Sequence, residues 1–307
     1  MRVTRQSLLA LSYFITGWLG LLVPYIGTQI TLIWLPTGIA VAALLRWGPQ
    51  VWPGITLGSF MVNFVTGLPW WVAAAIAVGN TLGPYFASHW LRRVGFHTQL
   101  DRQKDVGLLA IAAVMGMTLP ALCGVAVLNL AGILPSQSVG TAWLSWWMGD
   151  AVGVLLAAPL LLTLTWLKVG QLIRNGRELL LWLLIAGLVA WLAFFETYAT
   201  QGGSLPLAFL TLPLFAWAAM RFGSAGASLA GLLFSLLATW GTAIGYGTFA
   251  VHDAHISLFL LWSYIAIMVT TGLLITALQA ERMSVENTLR ESEEKLRGLY
   301  ELSPVGI

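Results

Sequence analysis

One carboxylate stands where a carboxylate is costly. Asp150 lies about nine residues into the apolar run 141–167, near mid-depth of a membrane span at about 1.5 Å per residue. An acid there costs about 2.5–3.5 kcal/mol on insertion scales, so it is either protonated or paired inside a bundle. Trp143, Trp146, Asp150, Gly153 and Ala157 follow one another at +3, +4, +3 and +4, which places them on one helix face. Two indoles, a carboxyl and small residues suit the wall of a polar pocket for a ligand or a proton, and Trp147 adjoins them. The competing reading is a buried hydrogen bond that locks helix packing.

Other polar residues in apolar runs are candidates to converge on Asp150: Trp34, Thr37, Asn63, Asn80 and Thr81. Pro36 frees a backbone carbonyl and can open its helix toward a cavity. Singly, each of these residues, and Asn129 with them, fits a structural hydrogen bond better. His252, Asp253 and His255, with Glu196, form a weak metal candidate, since the spacing is not that of a helical His pair and no cysteine helps. The lone cysteine, Cys123, sits in an apolar run and reads as a packing residue. No phosphate loop, serine elbow or HExxH pattern occurs. The ligand-binding candidates are therefore Asp150, Trp143, Trp146, Trp147, Trp34, Thr37, Asn63 and Asn80, with no catalytic residue, no metal ligand and no evident cofactor.

The elements that must position these residues are membrane helices. Charged residues make up 9% of the 307-residue chain and hydrophobic ones 58%, and the mean hydropathy is +0.83. So few charges cannot clothe a water-soluble surface, and disorder would need the opposite balance. The net charge of +3 fits the Lys/Arg excess of membrane topology better than nucleic-acid binding. The start reads as a first span rather than a cleaved leader.

Ten runs approach the roughly 20 residues that a span requires: about 7–26, 30–46, 50–66, 70–92, 105–133, 141–167, 179–198, 205–220, 224–247 and 256–280. The second, third and eighth are short or broken by proline or glycine, so eight or nine full crossings is the alternative count. With the N-terminus inside, all 15 basic residues fall in cytoplasmic segments, which places both termini in the cytoplasm. Continuous rather than alternating apolar runs exclude a β-barrel. The fold class is all-α, a polytopic bundle of about ten transmembrane helices. Trp18, Trp47, Trp52, Trp70, Trp71, Trp90, Trp166 and Trp182 read as interface anchors. Gly54-x-x-x-Gly58, Gly223-x-x-x-Ala227-x-x-x-Gly231 and Gly241-x-x-x-Gly245 permit close helix contact.

The last span does not stop at the interface. No proline or glycine interrupts it from Leu278 to Arg297, and Val285, Leu289, Ser292, Leu296 and Leu299 form a short heptad seam. Glu286–Arg290, Glu291–Lys295 and Glu293–Arg297 are i,i+4 pairs. The expected organisation is a membrane domain over 1–280, a coiled-coil-like helix over 281–302 that can pass rotation or translation inward, and at 303–307 the start of a further domain. A homodimer through Val285, Leu289, Leu296 and Leu299 is expected, and a solvated helical cap is the plainer alternative.

Several motifs carry a resemblance. Trp34-Leu35-Pro36-Thr37-Gly38-Ile39-Ala40, Leu45-Arg46-Trp47-Gly48, Trp52-Pro53-Gly54, Gly79-Asn80-Thr81-Leu82, Arg93-Val94-Gly95-Phe96 with Asp105-Val106, Trp143 to Gly153 with Pro159, Arg221-Phe222-Gly223, Gly247-Thr248-Phe249 and Glu281-Arg282 resemble the first of the bacterial membrane-associated sensor (MASE-type) domains over residues 10–282. Ser303-Pro304-Val305-Gly306-Ile307 resembles the opening of a PAS domain. The resemblance implies a sensory input module in a bacterial inner membrane, ahead of a cyclic-di-GMP cyclase or phosphodiesterase, or of a histidine kinase. It implies that the sequence is a fragment without its output enzyme. The expected partners are the lipid bilayer, a second copy, and a small or lipophilic ligand, with no nucleic acid. A small-solute or proton transporter is the rival class, and an intramembrane enzyme lacks an evident nucleophile–base pair.

Overall fold

The computed structural model describes residues 2–22, 31, 33–164, 176–196, 207–251 and 253–302. Among the described residues the regular elements are helices, with no β-strand. They are α1 (Arg2–Leu21), α2 (Leu35–Trp47), α3 (Trp52–Val65), α4 (Trp70–Arg93), α5 (Gln103–Gly116), α6 (Thr118–Leu130), α7 (Val139–Thr163), α8 (Gly176–Phe194), α9 (Thr211–Ala243) and α10 (Ala254–Leu302). Five stretches are long and apolar enough to cross a membrane: Gln103–Leu130, Ser136–Thr163, Gly176–Phe194, Leu207–Ala243 and Ala254–Arg297. The protein is an all-α, multi-pass membrane bundle.

Prolines decide several helix boundaries. Pro36 and Pro53 each sit in the first turn of α2 and α3, where a missing N–H costs nothing. Pro36 therefore starts its helix and frees no mid-helix carbonyl, contrary to the expectation that it opens the span. The 13-residue α2 and 14-residue α3 reach only about 20 Å, short of the roughly 30 Å hydrocarbon core. Pro120 in the first turn of α6 separates that helix from α5 at Met117. The two pieces still run as one 28-residue stretch.

The expected eighth and ninth spans are the two arms of α9. Gly223 holds φ 63° and ψ −158° inside it, a conformation essentially confined to glycine. The arms fold back on each other. Trp182 donates its indole N–H to the Leu214 carbonyl at 2.8 Å and sets its ring against Phe234. One indole thus touches both arms, at Leu214 before the turn and Phe234 after it. Gly223 is the turn itself, so only Ala227 and Gly231 of that small-residue run are left to pack. Trp182 is 4% exposed and bolts the hairpin to α8 rather than anchoring at an interface. Trp18, Trp52, Trp70, Trp71 and Trp90 are exposed on the bundle surface. Trp166 lies outside the described residues.

Glycines let helix backbones touch. A Cβ on Gly54 or Gly58 would meet the α1 backbone at Gln6 or Ala10 within 2.5–2.7 Å. Hydrophobic burial then does the rest, with Leu9, Tyr13, Leu44, Ile55 and Val62 forming one core among α1, α2 and α3. A larger core joins α4, α5 and α7 to α8, α9 and α10.

The basic residues meet at one end. Arg5 lies over the Trp47 ring, Arg92 donates to the carbonyls of Leu44 and Leu45 that end α2, and Arg46 donates to Leu161 near the end of α7. The Arg92 and Arg46 guanidinium groups thus serve carbonyls in the last turn of a helix.

Candidate functional site

The site begins with two glycines. A Cβ on Gly153 would lie 2.0 Å from the Trp34 carbonyl, and one on Gly38 would lie 2.2 Å from the Gly153 carbonyl. With no side chains in the way, α2 lies directly on α7. The Trp34 backbone N–H donates to the Gly149 carbonyl at 3.2 Å, which sets the register. One turn further on, Thr37 faces Asp150 and donates its hydroxyl to Oδ1 at 2.6 Å. Both are buried, at 2% and 0% exposure.

A polar chain continues from Asp150 into α1, α3 and α4. Trp34 Nε1 reaches the Tyr13 hydroxyl at 3.5 Å. The Tyr13 hydroxyl lies within reach of Ser59 and Asn80. Asn80 donates its amide to Ser59 Oγ at 3.0 Å, and Thr56 pairs with Thr81 at 2.8 Å alongside. Tyr13 is fully buried, as is Ser59, and Asn80 is 3% exposed. Two acceptors in this chain, Asp150 Oδ2 and Asn80 Oδ1, are buried without a hydrogen-bond partner. The Trp146 indole lies close enough to interact with the carboxyl and covers Gly124 of α6, yet no aligned bond reaches Oδ2.

The eight candidates therefore divide. Asp150, Thr37, Trp34, Trp146 and Asn80 belong to one connected cluster. Trp143 and Trp147 stack on each other at 5.8 Å, and Trp147 donates to the Val114 carbonyl of α5 at 2.7 Å. The indoles of the α7 stripe thus serve different neighbours. Asn63 donates to the Ser59 carbonyl of its own helix at 2.8 Å and stays out of the cluster. Asn129 binds the Leu134 carbonyl and Ser136 at the end of α6. Tyr13 and Ser59 are members that sequence reasoning missed. The available signal was a hydroxyl in mid-run on the first span and a serine one turn before Asn63.

Carboxylates at the basic end are committed elsewhere. Asp105 receives Arg102 through both oxygens, at 2.7 and 2.8 Å, and the His97 backbone N–H at 2.9 Å. These bonds hold the Arg102 guanidinium above its ordinary pKa. His97 and Asp101 lie beside Asp105 in a grouping of metal-ligand type, but Arg102 already fills both oxygens of that acid. Glu281, where α10 passes the start of α5, accepts from the Gln103 backbone N–H at 3.0 Å and from its side chain at 2.7 Å. At the opposite end Asp253 accepts from the backbone N–H groups of His255 and Ile256 and so caps α10; His252 lies outside the described residues.

Beyond the membrane α10 continues as a bare helix. Val285, Leu289 and Leu296 are 68%, 59% and 54% exposed; the Leu299 side chain lies outside the described ones. Two of the ion pairs that close there are Arg282–Glu286 and Arg290–Glu294. Arg290 thus turns toward Glu294 and Arg282 takes Glu286, in place of the expected Glu286–Arg290 pair. Exposed pairs of this kind add little stability.

The MASE1 family profile matches residues 4–282. A curated relative is the probable diguanylate cyclase DgcE of Escherichia coli (strain K12), 24% identical over 292 residues that cover 92% of this chain and 25% of that protein. The chain thus spans about a quarter of the length of the curated relative it matches. No solved structure shows significant similarity to it. A bundle whose one mid-span carboxylate is knitted into five helices, and whose last helix runs on past the apolar core, accords with that profile: the chain belongs to the MASE1 family of membrane-associated sensor domains.

Proposed function

We propose that this sensory domain reads its cue at the Asp150 cluster and passes it inward along α10. The observation that carries this reading is the continuity of α10, 49 residues from Ala254 to Leu302. At about 1.5 Å per residue it is roughly 73 Å long, more than twice the hydrocarbon thickness. A rigid rod of that length transmits rotation or translation where a flexible linker would absorb it. Glu281 ties the rod to α5 where it leaves the bundle.

The orientation that fits is both termini in the cytoplasm of a bacterial inner-membrane protein, because the basic residues converge on one end. Two copies pair through Val285, Leu289, Leu296 and Leu299, whose seam is too short to hold a dimer without help from the membrane part. The output is a PAS domain, suggested by the resemblance at 303–307, followed by cyclic-di-GMP turnover, a choice supported by the similarity to a probable diguanylate cyclase; a histidine kinase is the alternative output. Solute transport is what a bundle with a buried acid would suggest taken by itself, and membership of a sensor family speaks against it.

The cue can bias the output only through unequal affinity for two bundle states. Insertions of one and two residues between Leu278 and Arg297 of the intact protein test the rod. Each added residue turns everything downstream by about 100°. Output activity that changes with the phase of the insertion is expected. Equal activity across the series would refute transmission through α10.

A further inference from the structure

We propose that the cluster formed by Tyr13, Thr37, Ser59, Asn80 and Asp150 binds a small monovalent cation, either an alkali ion or the ammonium head of a small amine. This rests on reading the same cluster as the place where the cue acts.

The first argument is a deficit of one kind. Thr37, Asn80 and Trp34 all donate hydrogen bonds within the cluster, yet Asp150 Oδ2 and Asn80 Oδ1 receive none. Both orphan atoms are acceptors, on residues 0% and 3% exposed. The Tyr13 and Ser59 hydroxyls, which accept from Trp34 and Asn80, reach neither oxygen, and buried acceptors are rarely left without a donor or a positive charge.

The second argument is charge. No Lys, Arg or His is buried among the described residues. Arg46 is engaged with the Leu161 carbonyl, about 16 Å along α7 from Asp150, and Arg92 with Leu44 and Leu45. Among the described residues no cationic side chain is buried with the acid.

The third argument is the chemistry of the walls. Five oxygen-bearing side chains converge from α1, α2, α3, α4 and α7. Hard cations prefer such all-oxygen surroundings. Glycine contacts between α2 and α7 leave no room for a bulky ligand, so the cation is small.

Thermal unfolding of the full 307-residue chain in lipid nanodiscs tests this. Sodium chloride and methylammonium chloride are the two probes, and N-methylglucamine chloride is the control for ionic strength. A saturable rise of the unfolding midpoint with one of the two probes, and none with the bulky control, is expected. Asp150→Asn and Asn80→Ala should each weaken the apparent affinity by roughly tenfold or more. Sodium alone acting identifies an alkali site, and methylammonium alone identifies an amine site. Midpoints that follow pH but neither probe would make Asp150 a proton site and overturn the proposal, as would an unchanged ion response in both variants. If Asp150→Asn does not fold, Asn80→Ala alone decides. Ion binding that fails while insertions in α10 still alter output removes the cation and leaves the sensor reading intact; the reverse pattern does the opposite.

Discussion

Glu281 on α10 grips the first residue of α5, Gln103, 178 positions earlier in the chain, through both of its carboxylate oxygens. One bond goes to a backbone N–H that opens a helix, where four donors lack partners and negative charge is welcome. Replacing Glu281 with Ala frees that N–H. Hydrogen exchange at Gln103 is expected to accelerate, and spin labels on α5 and α10 to show a broader distance distribution. Glu281→Gln should retain most of the protection, since an amide oxygen still accepts. Unchanged exchange in Glu281→Ala would mean that the grip is not made in the bilayer.

Thr37 and Asp150 make the second long-range contact of consequence, 2.6 Å across 113 positions. Thr37→Val keeps the shape but removes the donor and leaves both carboxyl oxygens without a hydrogen bond. A loss of about 1–3 kcal/mol is expected, read as the midpoint of unfolding in mild detergent. Thr37→Ser should remain within a few tenths of a kcal/mol of the parent. Equal stability of the Val and Ser forms would show that the hydroxyl contributes nothing.

The contact between α2 and α7 predicts a sharp contrast between glycines. Gly153→Ala places a Cβ 2.0 Å from the Trp34 carbonyl, so the helices must separate, at about 1–3 kcal/mol. Gly107, inside α5, has nothing within 4 Å of its added Cβ. Gly107→Ala should stabilise the chain by about 0.5–1 kcal/mol, from helix propensity alone. Thermal midpoints moving in opposite directions are the signature; the same sign for both would contradict the backbone contact.

The exposed seam on α10 predicts where two copies meet. With Cys123 replaced by Ala, single cysteines at Val285, Leu289 and Leu296 should cross-link between chains in native membranes. A cysteine at Asn287 or Glu294, on the far side of the helix from the seam, should cross-link several-fold less. A flat profile around the helix would remove the paired rod.

Much of the architecture was legible in one dimension. Transfer of a segment into hydrocarbon depends on its own side chains, so the apolar runs at 70–92, 141–167 and 256–280 reappear as α4, α7 and α10. The break at Arg221-Phe222-Gly223 was equally readable, because only glycine adopts the backbone found at the turn and a charge interrupts the apolar run beside it. Asp150 announced itself by its cost. Other outcomes depended on partners far away in the chain. Trp182 reads as an interface anchor until Leu214 is known to face it. Trp143 and Trp146 read as one stripe, although Trp143 stacks at 5.8 Å on Trp147, which binds the Val114 carbonyl of α5. Tyr13 and Ser59 carried only a faint signal, a hydroxyl inside an apolar run. They join Asp150 because Gly38 and Gly153 let α2 and α7 touch, and because Gly54 and Gly58 do the same for α1 and α3. Burial from water is a property of a segment and is written in its composition. The meeting of polar groups inside the bundle is a property of helix pairs, and only their packing decides it.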